Sequence, residues 1–158
     1  MRQENTLQQT VVNSLREKGY HVVIGGLAPG YPDLTAIKNG RAFWIENKDA
    51  SEYDLTKRAK DLFEKFQIPT YLEFINMDYA PLYIIFKRPE VCWVFRIKDK
   101  HDVISLNACT LGEIFSNSHC ADDPQDAVKF IIREDTREWS EKFLKMSPKF
   151  FSPDTRIL

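Results

Sequence analysis

Apolar residues recur at Leu7, Val11 and Leu15, joined by Val12, within "ENTLQQTVVNSLREKGY", which is the i, i+4 spacing of one helical face. Gly19 supplies the stop. In "YHVVIGG" β-branched residues replace that spacing, so a strand is expected, running into the loop "GGLAPGYP". "DLTAIKNGRAFWIENK" reads as two strands about Asn39-Gly40, the strongest short-range hairpin signal. After a polar loop, "DLTKRAKDLFEKF" (54–66) offers Leu55, Ala59, Leu62, Phe63 and Phe66 on one helical face, with Pro69 closing the helix. Two or three strands are then expected: "TYLEFI" at 70–75, "LYIIFK" at 82–87 and "VCWVFRI" at 91–97.

Beyond Lys98 the periodicity weakens. "TLGEIF" reads as a short helix, "SNSHCADDPQD" as a loop and "AVKFII" as either strand or helix. "TREWSEKFLKM" has Trp139, Phe143 and Met146 at helical spacing, and "SPKFFSPDTRIL" reads as irregular. The expected fold class is α/β, a mixed central β-sheet flanked by helices. Residues 1–98 form its core, and residues 99–158 form a C-terminal elaboration packed on the same domain.

Composition narrows the class. At 158 residues, with 43% hydrophobic and 28% charged side chains, one packed core is expected and disorder is not. The apolar runs fall short of a membrane span, and "MRQENTLQQ" is too polar for a signal peptide, so a cytoplasmic, intracellular location is expected. A net charge of −1 gives no global attraction to a polyanion, so a nucleic-acid site would have to come from local clusters of Lys and Arg. Cys92, Cys109 and Cys120 form no CxxC pair and are read as reduced thiols. His21, His101 and His119 are scattered, no Ser or Cys stands in a nucleophile elbow, and there is no Walker loop. Covalent Ser/His or Cys/His hydrolysis and a nucleotide cofactor are therefore not expected.

The second hairpin strand carries the chemistry. Side chains alternate across a pleat, so Ala42, Trp44, Glu46 and Lys48 share one face while Phe43, Ile45 and Asn47 share the other. Asp33 follows a proline at the start of the partner strand, and the turn brings it back beside Glu46. Two carboxylates and an ammonium thereby converge at one end of a sheet. Hard divalent cations such as Mg²⁺ or Mn²⁺ take oxygen ligands, which Asp33, Glu46 and the backbone carbonyl of Asn47 could provide. Such an ion activates water and neutralises charge on a phosphorane, while Lys48 positions the nucleophile or stabilises the developing charge.

Pro32-Asp33 and Glu46-Asn47-Lys48 match the pattern of the PD-(D/E)xK nucleases, which the chain resembles from about residue 4 to 99. Two branches are similar. Glu4 and Gln8, "LREKGY" and Gly30 ahead of Pro-Asp resemble the virus-type replication-repair nucleases. "LREKGY", "PD", "AIKNG" and "IExK" resemble the archaeal Holliday-junction resolvases, whose helical acid would fall nearer Gln8. The resemblance implies a restriction-endonuclease-like core in α-β-β-β-α-β order. It also implies a metal-dependent endodeoxyribonuclease with Glu4, Asp33, Glu46 and Lys48 at the active centre, Glu4 holding a second metal or its water. Where the first branch has a glutamine in the helix after the lysine, this sequence shows "TKRAK". The resolvase branch further implies a homodimer acting on repair or recombination substrates, with apolar strands near "VCWVF" as a candidate interface.

DNA contacts are expected from Lys57, Arg58 and Lys60, with Gln8 beside the site and Tyr31 and Tyr53 able to stack or to pack at the core edge. Further basic groups are Lys87-Arg88 and Arg96, Lys98 and Lys100. A site-specific restriction or homing endonuclease and a non-cleaving nucleic-acid-binding module of the same fold remain alternative readings.

Overall fold

In the computed structural model, which describes residues 2–25, 28–77 and 81–150 without the side chains of 2–5, 76–77, 139 and 142–150, the opening segment is helix α1 (Arg2–Glu17). Leu7, Val11, Val12 and Leu15 are all buried, as their spacing requires. Strands β1 (His21–Ile24), β2 (Leu34–Lys38) and β3 (Arg41–Asp49) follow as an antiparallel meander. Asn39 and Gly40 take φ of 53° and 76°, the doubly left-handed turn that matches the twist of paired strands. That turn fixes Lys38 opposite Arg41, and hence every later pair.

Strand β4 (Leu82–Lys87) pairs parallel to β3, so the intervening chain must cross one face of the sheet. The crossover carries a 3-10 helix at Ala59–Leu62 and helix α2 (Gln67–Met77). β5 (Cys92–Ile97) returns antiparallel, and then come α3 (Lys100–Ala108), α4 (Leu111–Ser116), β6 (His119–Ala121) and α5 (Pro124–Phe150). The six strands lie in sequence order, β1 to β6. α1 and α5 cover one face around Phe43, Ile45, Tyr83 and Ile85; α2, α3 and α4 cover the other around Leu82, Ile84 and Phe86. This is a mixed sheet flanked by helices in the expected opening order. Among the described residues no helix is long and apolar enough to cross a membrane.

Four expectations need correction. Residues 54–66 are not a continuous helix, because carbonyls that would accept i+4 amides are taken across the fold: Leu55 O from Gly112 N–H and Lys57 O from Leu111 N–H, both at 2.9 Å. Asp54 also draws Thr56 into a local turn through its side chain. Second, 70–75 is not a strand but the body of α2. Pro69 sits in the first turn, where a missing N–H costs nothing, and Gln67, Thr70, Tyr71 and Phe74 are buried at helical spacing. Third, the loop expected at 116–126 contains β6, which pairs with Cys92–Val94. Fourth, "VCWVF" is no exposed apolar strand: Cys92, Val94 and Phe95 are buried, and β6 covers that stretch of edge. "AVKFII" and "TREWSEKFLKM" both lie in α5, which continues to Phe150; 151–158 fall outside the described residues.

Candidate active site

Pro32-Asp33 enters β2 one residue before its first ladder pair, Leu34 with Ile45, so Asp33 falls opposite Glu46. The Asn47 backbone N–H donates to Asp33 Oδ2 at 3.0 Å and latches the acid to β3. Glu46 and Lys48 share the face covered by α2, with Lys48 Nζ 3.7 Å from Glu46 Oε2. Gln67, in the first turn of α2, ties the two together. Its Nε2 donates to Glu46 Oε2 at 3.0 Å, and its Oε1 accepts from Lys48 Nζ at 2.9 Å and from the Glu64 backbone N–H at 2.7 Å. The Phe63 ring closes the apolar side, its centroid 4.9 Å from Lys48 Nζ.

Electrostatics make this cluster unusual. Glu46 is only 2% exposed, and burial, followed by the charge of Asp33, pushes its carboxyl up to about 8 against the pull of Lys48 and Gln67. Its Oε1 is buried with no hydrogen-bond partner. A carboxylate with a bare buried oxygen beside a second carboxylate fits a hard divalent cation, which would satisfy that oxygen and relieve the repulsion. Asp33 and Glu46 are the side chains that would hold it. No group of three or more His, Cys, Asp or Glu positioned for a metal occurs among the described residues.

The remaining sequence candidates are scattered about this centre. Glu4 lies in the first turn of α1, but its side chain is outside the described residues. Gln8 is half-buried on α1. The Asn47 side chain points to the opposite face of the sheet, so only its backbone belongs to the cluster. Tyr31 packs edge-on against Phe74, ring centroids 5.3 Å apart, and the Tyr53 hydroxyl donates to Arg58 O at 2.8 Å; both are engaged in packing. Lys57, Arg58 and Lys60 are exposed on the segment leading to Phe63, Lys57 and Arg58 ahead of the short 3-10 helix and Lys60 within it, rather than on the α-helix expected there. The other basic groups are largely committed: Arg88 to the carbonyls of Ala50 and Tyr53, Lys87 to those of Arg88 and Pro89, and Arg96 to Glu138.

Gln67 is the residue that sequence reasoning missed. The glutamine that the replication-repair branch carries in the helix after the lysine is expected at the place of "TKRAK", ahead of α2, and Gln67 lies beyond that stretch. A first-turn reading of Pro69 would have placed Gln67 at the head of the helix.

The family model for archaeal Holliday junction resolvases (Hjc) matches residues 2–107, which falls on the resolvase branch of the two resembled. Among solved structures, Hjc, a Holliday junction resolvase from the archaeal hyperthermophile Archaeoglobus fulgidus, is 18% identical, with a TM-score of 0.42. That match covers 70% of this chain and 98% of the other. No curated protein matches.

Proposed function

The chain belongs to the archaeal Holliday junction resolvase family, and from that membership we propose that it is a Mg²⁺- or Mn²⁺-dependent endonuclease hydrolysing phosphodiester bonds in branched DNA. The observation that carries the reading is the cluster of half-buried Asp33 with buried Glu46 and Lys48, and the unsatisfied Glu46 oxygen within it. When bound, a divalent cation would supply the Lewis acidity that activates water and the positive charge that phosphodiester hydrolysis needs. Asp33 and Glu46 would hold it, the first latched by the Asn47 N–H and the second by Gln67. Lys48, oriented by Gln67 and the Phe63 ring, positions the attacking water or stabilises charge on the phosphate. The exposed Lys57, Arg58 and Lys60 track the DNA backbone, with a salt-dependent affinity. The working form is a homodimer, whose two centres suit a four-way junction.

The test is cleavage of a four-way junction, a linear duplex, a single strand and supercoiled plasmid, each with Mg²⁺ and with chelator. Metal-dependent cutting confined to the junction is the expected result. Discrete plasmid bands would instead favour a site-specific cutter, and a gel shift without cleavage a binding module. Lys48→Ala and Asp33→Ala should each lower the cleavage rate by at least about 10²-fold. Circular dichroism should remain that of the parent. Residual activity near the parent's in both variants contradicts the assignment.

A further inference from the structure

Glu46 Oε1 is not alone in lacking a partner. The Tyr71 hydroxyl is also buried without a hydrogen bond, in a side chain of 0% exposure. Tyr71 stands four residues after Gln67 on α2, so both project from the same helical face toward β3. Gln67 holds Glu46 through Oε2 alone. A carboxylate gripped at one oxygen can still turn about its terminal torsion, which is broad and has no sharp staggered wells.

We propose that Tyr71 is a positioning residue: its hydroxyl is the second donor to Glu46, taking Oε1 and fixing the carboxylate plane as α2's companion to Gln67. The inference rests on the metal-dependent nuclease reading above. Each carboxylate oxygen has two lone pairs, so Oε1 can accept the hydroxyl and still face a cation. The hydroxyl is fitted to remain a neutral donor, since burial, together with the charges of Glu46 and Asp33, raises its pKa well above the ordinary value. The ring is itself held, edge-on to Phe63 at 6.0 Å, and Phe63 is the ring that faces Lys48. One helix face and one aromatic pair thus govern both the carboxylate and the ammonium. A phenylalanine would fill the same space without burying an unpaired hydroxyl, which a core otherwise avoids.

The test is Tyr71→Phe, read first by calorimetric titration of the DNA-free protein with Mn²⁺. The expected result is an affinity about 10-fold weaker, the scale of loss when an outer ligand-orienting group is removed. Thermal stability in chelator should fall by no more than the loss of one hydrogen bond. For cleavage of the junction, kcat should fall while KM stays constant. In a Glu46→Gln background the same substitution should have no further effect on Mn²⁺ binding. Unaltered Mn²⁺ affinity in Tyr71→Phe, in a protein whose parent binds Mn²⁺ and cuts DNA, overturns the clamp alone. A lowered melting temperature that accounts for weaker binding also overturns it. A parent that binds no Mn²⁺ and cuts nothing overturns the nuclease reading and the clamp with it.

Discussion

At the scale of single residues, Glu46 ties stability to pH in an unusual direction. Its pKa in the folded chain, about 8, lies above the ordinary 4.5, so the native state retains a proton that the unfolded chain releases. The stabilising contribution is therefore complete below pH 4.5 and is lost as pH rises through 8. The raised carboxyl of Asp135, caused chiefly by burial, adds in the same sense. Urea unfolding in chelator should show stability falling by on the order of a few kcal/mol between pH 5 and pH 8. Mg²⁺ should reverse the trend, raising the melting temperature more at pH 8 than at pH 5, because the cation binds the ionised pair. Glu46→Gln should flatten most of the slope and remove the Mg²⁺ effect. A metal-free profile that rises toward pH 8 would contradict this account of the site.

At the scale of elements, the candidate site depends on how closely the loop before β2 approaches the start of α2. Gly30 has φ of +89°, and a Cβ there would lie 2.3 Å from Phe66 O and 2.6 Å from Thr70 Oγ1. Gly30→Ala should cost at least about 2 kcal/mol in chemical unfolding, combining an unfavourable φ with a backbone clash. It should also weaken Mn²⁺ binding, because the loop carries Asp33. Unfolding like the parent's would mean that the loop and α2 part freely. The hairpin half of this arrangement was legible from sequence, since pleat alternation and an Asn-Gly turn are local and together bring Asp33 to Glu46. The α2 half was not. Its apolar spacing competes with a genuine helical pattern at 55–66, and that contest is decided by backbone pairing to 109–112, some fifty residues away. Gln67 and Tyr71 were missed for the same reason, because only the crossover brings them over β3.

At the scale of the whole molecule, the site-bearing hairpin is held by the last helix. Arg41, the first residue of β3, is paired through Nε with Asp135 Oδ2 of α5 at 3.2 Å, with side chains only 12% and 7% exposed. α5 also supplies Ala127, Val128 and Ile131 to the core shared with α1, Phe43 and Ile45. Described residues beyond the family-matched stretch thereby extend the same core, and we propose that the C-terminal segment through α5 folds with the preceding core as one unit. The ion pair gives a quantitative check. Removing one partner of a buried pair leaves the other charge uncompensated and commonly costs about 3–5 kcal/mol, whereas removing both leaves none. Asp135→Ala should therefore destabilise by about 3 kcal/mol. Arg41→Met should do so comparably, and the double variant should lose clearly less than the sum. Metal-dependent cleavage per folded molecule should stay near the parent's in all three, because the pair sits at the opposite end of β3 from Glu46 and Lys48. Single losses that simply add would mean the two charges ignore one another, and that apolar packing alone joins α5 to the hairpin.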